Sequence, residues 1–111
     1  HQRKALMADL ADGFLTIPGA YGTLDELFDT VTWTQLGLYA KPIGLLNTCG
    51  YYDLLLQFLD RCVTDGFLRP QNRALIVDAP ELDSVLALME EQAAEALSAD
   101  SVRRPQQSVA P

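Results

Sequence analysis

The stretch PGAYGTLDE, Pro18 to Glu26, joins a short apolar run to a segment with helical periodicity. The run before it, GFLTIP from Gly13 to Pro18, is mainly apolar without alternation, which is typical of a parallel strand covered on both faces. From Thr23 to about Tyr39, apolar residues recur on one side at helical spacing. We therefore predict a strand, a glycine-containing loop and a helix, with Thr23 as the N-cap and Glu26 completing a capping box.

The rest of the chain repeats this pattern of strands and helices. Strands are predicted for PIGLLN (residues 42–47) and ALIVDA (74–79), and helices for RKALMADLA (3–11), YYDLLLQFLDRCV (51–63, ended by Gly66) and PELDSVLALMEEQAAEAL (80–97). Such alternation implies parallel strands joined by right-handed crossovers. We predict an α/β fold, a Rossmann-like open parallel sheet with helices on both faces.

Three strands make a narrow sheet with exposed edges, so we expect this chain to lack the N-terminal strands of its domain, or the edges to be protected through oligomer contacts. Residues 1–97 then form the C-terminal part of a Rossmann-like domain. Residues 98–111 have no apolar periodicity, which predicts a disordered tail.

The composition argues against several classes of function. A formal net charge of -7 disfavours binding of nucleic acid, which needs clustered Lys and Arg. No apolar stretch approaches the ~20 residues of a membrane span, and no secretory signal is recognisable, so we expect a cytoplasmic protein without a membrane partner. Cys49 and Cys62 are the only cysteines and have no nearby His to complete a metal site, so we expect no bound metal.

The loop after the first strand has the composition of an anion site. Ligands of open α/β sheets settle beyond the carboxyl ends of the strands, where the start of a helix offers unpaired N–H groups. Gly19 and Gly22 allow a phosphate to approach the backbone, and Thr23 can add its hydroxyl. A simple turn explains the glycines equally well, and the loop matches neither the P-loop nor the dinucleotide fingerprint. The chemistry suits a phosphomonoester.

Glu26 follows Thr23 by about one helical turn. Its carboxylate would repel a phosphate but could stabilise positive charge elsewhere on the same ligand. Glycosidic bond cleavage passes through an oxocarbenium-like state, so a carboxylate near the ribose C1′ could stabilise that state and orient a water. The alternative is that Glu26 only completes the capping box.

Several segments together resemble the Lonely guy family: RKALM, PGAYGTLDE, TWTQLGLYAKPIGLLN, GYYDLLLQFLD and GFLRP, over about Gln2 to Leu97. Members of that family are cytokinin riboside 5′-monophosphate phosphoribohydrolases, often mislabelled as lysine decarboxylases. The resemblance implies hydrolysis of the N-glycosidic bond of an adenosine 5′-monophosphate, often N6-prenylated, to free base and ribose 5-phosphate. It implies no metal or redox cofactor and a homodimer.

The resemblance also implies the residues of the site. Arg3 and Glu26 occupy the catalytic positions. The substrate-binding positions are Arg3, Lys4, Gly19, Ala20, Tyr21, Gly22, Thr23, Leu24, Asp25, Glu26 and, more remotely, Thr32. Because the pKa of an arginine exceeds 12, Arg3 is expected to grip phosphate or brace the leaving base rather than to donate a proton.

Two positions depart from the family pattern. Ala20 stands where the family usually has glycine, and Asp25 where it usually has glutamate. The methyl group of Ala20 is tolerable if its φ is negative and obstructive if its φ is positive.

Other interpretations remain open at this point. A noncatalytic carrier of a nucleotide or phosphorylated cofactor could use the same loop. A decarboxylase is weaker, because pyridoxal phosphate needs a Schiff-base lysine and Lys4 and Lys41 are the only lysines.

Aromatic residues outside the loop also allow two interpretations. Trp33, Leu36 and Tyr39 form a second apolar stripe that could be a subunit interface or buried within one subunit. Tyr51 and Tyr52 could border a pocket or simply pack at the start of a helix.

Overall fold

The computed structural model describes residues 13–39 and 41–103, and the side chains up to residue 95. The elements are β1 (Phe14–Thr16), α1 (Tyr21–Gln35), β2 (Ile43–Leu46), α2 (Asp53–Thr64), α3 (Pro70–Arg73), β3 (Ile76–Ala79) and α4 (Leu82–Arg103), with one 3₁₀ turn at Thr48–Gly50. This order confirms the predicted alternation, and only the short α3 was not predicted. The helix predicted for residues 3–11 lies outside the described residues.

The three strands form a parallel sheet in the order β1-β2-β3. Phe14 pairs with Ile43, and Ile43 pairs in turn with Ile76. The open parallel sheet predicted from the apolar runs is therefore confirmed. Within the described residues, β1 and β3 are its two edges.

Helices cover both faces of the sheet, as predicted. Because side chains alternate along a strand, the two faces have separate apolar clusters. One cluster joins the sheet to α1 and α2 through Phe14, Leu27, Ile43, Leu45, Tyr52, Leu56 and Ile76. The other joins it to α4 through Ala79, Val85 and Met89. Gly44 lets α4 approach β2, since a Cβ there would lie 2.4 Å from the sulfur of Met89.

A left-handed glycine ends α1 at Gln35, earlier than the predicted end near Tyr39. Gly37 has a φ of 83°, and the N–H of Leu38 donates to the carbonyl of Trp33 at 2.7 Å. This is a Schellman ending, which satisfies the last carbonyls of a helix.

Gly66 ends α2 in the same way, as predicted from the sequence. Its φ is 86°, and the N–H of Phe67 donates to the carbonyl of Cys62 at 2.9 Å. The last helix, α4, runs to Arg103 and so continues past residue 97, where the apolar pattern fades. None of the helices in the described parts of the chain combines the length and apolar character needed to cross a membrane.

One side chain of α4 links the amino ends of two strands. The Gln92 amide nitrogen donates to the carbonyls of Leu75 at 2.9 Å and Ala74 at 3.3 Å, and its oxygen accepts from the N–H of Ile43 at 3.2 Å. These backbone groups lie just before β3 and at the start of β2. The Gln92 side chain therefore supplies these backbone groups with hydrogen-bond partners that the short strands do not provide.

The second apolar stripe of α1 is divided between solvent and core. Trp33 and Leu36 are 51% and 50% exposed, whereas Tyr39 packs against the α1 and α2 cluster. The Tyr39 hydroxyl is buried without a hydrogen-bond partner in the described structure, and burial raises the pKa of Tyr39. Among the described residues the stripe is therefore only partly buried, which leaves both interpretations of it as predictions.

Candidate functional site

The loop from Ile17 to Ala20 connects the carboxyl end of β1 to the first turn of α1. The helix begins at Tyr21 with Ala20 at the N-cap, and no side chain caps it. The predicted capping box of Thr23 and Glu26 is therefore wrong. The first helical hydrogen bond runs from the N–H of Leu24 to the carbonyl of Ala20 at 2.9 Å, so Thr23 already lies inside the first turn.

This early start determines which amides are free. The N–H groups of Tyr21, Gly22 and Thr23 precede the first intrahelical donor and have no carbonyl partner within α1. They lie at the positive end of the helix dipole, beyond the carboxyl end of a parallel strand. The arrangement is suited to an anion.

Backbone geometry resolves the substitution at position 20. Ala20 has a φ of −132°, so its methyl group does not meet the steric penalty of a positive φ. Gly19 carries the stronger requirement, because a Cβ there would lie 2.1 Å from the Thr23 hydroxyl and 2.7 Å from the Thr23 Cβ. Gly22 is surrounded by open space. Only a glycine fits position 19 while the loop keeps this conformation.

Glu26 lies on the covered side of α1 and is 8% exposed, beside Leu27 and Thr30. Its backbone carbonyl accepts a hydrogen bond from the Thr30 hydroxyl at 2.9 Å. Among residues 13–39 and 41–103, its carboxylate makes no hydrogen bond or ion pair. The alternative that Glu26 only completes a capping box is wrong. The side chain is largely covered, but its carboxylate oxygens are not among the fully buried polar atoms of the described residues, so water or a ligand can reach them.

The remaining expected positions are distributed as follows. Leu24 packs against the core, and Asp25 is exposed. Arg3 and Lys4 lie outside the described residues. The structure thus brings together residues 19–26, on a single loop and the first two turns of α1.

Thr32 lies away from this group. It follows Thr23 by nine residues, which corresponds to about 13 Å along the helix axis. It lines a separate cavity of about 240 Å³ with Phe28, Phe67 and Asn72 among its walls. That cavity lies near the amino end of the sheet, because α1 runs antiparallel to the strands.

Two tyrosines that the sequence interpretation regarded chiefly as packing residues contact the loop directly. The Tyr51 hydroxyl donates to the carbonyl of Gly19 at 2.6 Å, and the Tyr52 hydroxyl donates to the carbonyl of Ile17 at 2.7 Å. The available signal was their place between β2 and α2, which puts them at the same sheet edge as the loop.

Asn47 was also missed, and it anchors this second loop. Its side-chain oxygen accepts from the N–H of Tyr52 at 2.6 Å, and its side-chain nitrogen donates to Asp53 at 2.8 Å. Its own N–H donates to the carbonyl of Ala79 at 2.8 Å. A polar residue directly after a buried strand was the signal in the sequence.

The described residues offer little to a metal ion. No three His, Cys, Asp or Glu side chains lie close enough together in residues 13–39 and 41–103 to form a metal-binding cluster. The polar groups at the carboxyl edge are amides, hydroxyls and carboxylates, and the Asp53 carboxylate is already engaged by the Asn47 side chain. They can bind an anion and place one acid beside it.

The parallel sheet and the amide-lined start of α1 define a Rossmann-like α/β protein. A family model described as "possible lysine decarboxylase" matches residues 1–89. The chain is 53% identical over 91 residues to a probable cytokinin riboside 5′-monophosphate phosphoribohydrolase of Arabidopsis thaliana, LOG6, covering 82% of this chain and 45% of that protein. It is 52% identical over 91 residues to LOG7 of the same plant, a cytokinin riboside 5′-monophosphate phosphoribohydrolase, covering 82% of this chain and 42% of LOG7.

The chain is also 52% identical over 91 residues to LOGL9 of Oryza sativa subsp. japonica, a probable cytokinin riboside 5′-monophosphate phosphoribohydrolase, covering 82% of this chain and 40% of that protein. The chain belongs to the Lonely guy family, which confirms the resemblance found in its motifs. It spans less than half the length of these curated relatives.

Proposed function

We propose that the whole protein hydrolyses the N-glycosidic bond of an adenosine 5′-monophosphate, with or without an N6 substituent, to free base and ribose 5-phosphate. LOG6 and LOG7, which are 53% and 52% identical to this chain over 91 residues, are named for action on cytokinin riboside 5′-monophosphate. The observation that carries the proposal is the carboxylate of Glu26, on a largely covered side chain of the helix whose free amides end the glycine loop.

The phosphate end of the substrate fits the start of α1. The amides of Tyr21, Gly22 and Thr23 would donate to phosphate oxygens, and the helix dipole would favour the negative charge. Because the backbone of Gly19 lies close to the Thr23 side chain, the Thr23 hydroxyl also lies beside the loop. The 5′-phosphate would thereby fix the position of the ribose.

Glu26 would act on the ribose. As the C1′–N9 bond breaks, the electron pair of that bond leaves with the base, and positive charge develops on the ribose. The departing base takes up a proton. A carboxylate near C1′ would stabilise this charge and accept a proton from the water that attacks C1′. Arg3 and Lys4, carried over from the family, would hold the phosphate or the leaving base.

Other properties of the protein follow as proposals. We propose a homodimer that works in the cytoplasm on a small-molecule nucleotide such as AMP, without nucleic acid or membrane partners and without a cofactor. The half-exposed Trp33 and Leu36 support an interface on α1. Thr32 is proposed as a remote substrate contact, although its groove lies at the other end of α1.

The description "possible lysine decarboxylase" finds no support in the placement of Lys41. This exposed residue precedes β2 and therefore lies at the amino edge of the sheet, opposite the loop. A Schiff base at Lys41 could not face a phosphate bound at the start of α1. A noncatalytic carrier remains the competing function, because the amides alone suffice to bind a phosphate.

The experiment is an assay of free base. The full-length protein is incubated with AMP, with N6-isopentenyl-AMP and with the corresponding nucleosides, and the products are separated by chromatography. We expect base release from the monophosphates, and release at least about 100-fold slower from the nucleosides, because the phosphate supplies the binding energy that positions the ribose. Binding of both monophosphates without any release of base would favour the carrier.

Replacement of Gly19 by alanine is expected to weaken ribose 5-phosphate binding about tenfold or more. The new Cβ would collide with Thr23, so the loop and its amides must move. Calorimetric titration measures the affinity. Gly66→Ala is the control, since it strains a left-handed position at the far end of α2 and lowers stability without touching the loop. Equal phosphate affinity in the Gly19 and Gly66 variants would contradict this role of Gly19.

A further inference from the structure

We propose that Tyr51 and Tyr52 are positioning residues that hold the glycine loop in its anion-binding conformation. The inference rests on the proposed function, since it concerns how the same site binds phosphate. Both hydroxyls donate to backbone carbonyls of the loop, at 2.6 Å to Gly19 and 2.7 Å to Ile17. The contacts span 32 and 35 residues of sequence, and they join two successive loops at the carboxyl edge of the sheet.

The contact of Tyr51 sets the direction of a loop amide. In a planar trans peptide, the C=O and the following N–H point in opposite directions. By holding the Gly19 carbonyl, Tyr51 therefore turns the N–H of Ala20 away from itself. That N–H has no backbone partner in the described residues. It is thus free to donate beside the amides that follow it in α1.

The hydrogen bond that Tyr52 donates goes to a carbonyl whose peptide has no N–H. Ile17 is followed by Pro18, which has no N–H, so this peptide cannot donate to a ligand. Its carbonyl oxygen would repel a phosphate if it faced one. The hydrogen bond from Tyr52 fixes that oxygen away from the amides and neutralises part of its negative charge. Burial raises the pKa of Tyr52, so its hydroxyl keeps the proton that it donates.

The tyrosines themselves rest on a rigid base. The backbone N–H of Tyr52 is held by Asn47, and Asn47 is held in turn by Asp53 and by the carbonyl of Ala79. The two rings meet edge to face, with centroids 4.8 Å apart and an interplanar angle of 84°. These contacts fix the position of the glycine loop relative to the ends of β2 and β3.

Packing alone does not account for Tyr51. It is 55% exposed, so its ring contributes little to the core. Its hydroxyl nevertheless makes a short hydrogen bond to the loop. Tyr51→Phe is therefore a clean test, because it removes one hydroxyl and leaves the ring in place.

The experiment measures ribose 5-phosphate affinity by calorimetry and the kinetics of base release, using the full-length protein and its Tyr51→Phe variant. We expect about fivefold to tenfold weaker binding of ribose 5-phosphate, a similar rise in KM for the nucleotide, and kcat within about twofold, because the loop binds phosphate equally in ground and transition states. The melting temperature should stay close to that of the wild type. Tyr39→Phe is the matched control, since the Tyr39 hydroxyl is buried without a partner among the described residues and the residue precedes β2, at the edge of the sheet opposite the loop.

The outcomes separate this inference from the function on which it rests. Weaker ribose 5-phosphate binding by Tyr51→Phe, with Tyr39→Phe unchanged, supports the positioning role even if the wild type releases no base. Equal affinity of wild type and Tyr51→Phe overturns the positioning role while base release continues to support the function. A wild type that binds ribose 5-phosphate no better than ribose overturns both.

Discussion

Replacement of Glu26 by glutamine is expected to lower kcat at least about 100-fold and to leave nucleotide binding intact or tighter. The amide keeps the size of the side chain but carries no charge to stabilise the ribose and cannot accept a proton from water. It also removes the repulsion between the carboxylate and the bound phosphate. Single-turnover release of base and calorimetric binding on the same preparations measure the two effects separately.

The control is Glu90→Gln, which makes the same change at an exposed position of α4 and should leave both quantities unchanged. Stability provides a further check. Glutamine keeps the size of the side chain, and the Glu26 carboxylate makes no hydrogen bond or ion pair among the described residues that the change would remove, so Glu26→Gln should unfold at a temperature close to that of the wild type. Loss of activity could then not be attributed to unfolding. Full activity in Glu26→Gln would exclude the carboxylate from the chemistry.

Replacement of Gln92 by leucine is expected to lower the free energy of unfolding by about 2–4 kcal/mol. Leucine is similar in size but offers no hydrogen bond to Ile43, Ala74 or Leu75. Their backbone groups would be left without a partner beside the buried sheet, and each such loss is costly. Denaturant unfolding of the full-length protein measures the change.

Gln57→Leu is the matched control for this variant. It makes the same substitution at an exposed position of α2, where the change in unfolding free energy should stay within about 0.5 kcal/mol. If the two variants unfold at the same denaturant concentration, the bridge made by Gln92 contributes nothing measurable.

The strands and the main helices could be predicted because their signals are local. Apolar runs of four to six residues between Gly, Pro and Asn marked the three strands, and a sheet buried on both faces needs such runs. Gly66 marked the end of α2 because only a left-handed residue completes that turn easily. The loop after β1 was predicted as an anion site for the same reason, since free amides follow from a strand, a glycine turn and a helix.

The details of the site depend on contacts that a local pattern cannot reveal. Thr23 has a favoured N-cap side chain, yet the N-cap is Ala20, so the helix starts three residues earlier than predicted. The loop before it is held by Tyr51, which lies 32 residues away. The start of α1 therefore differs from the one that the local sequence favours, and the loop before it is held by tertiary contacts.

The three strands lie side by side in the order in which they occur along the chain. Within this described sheet, each strand can therefore dock beside its predecessor as the polypeptide emerges from the ribosome, and none of the three must be threaded between the other two. The third strand and the helix after it complete this growth from one side. Gln92 lies in this last helix, so its hydrogen bonds to Ile43 and Leu75 can form only after synthesis has passed residue 92.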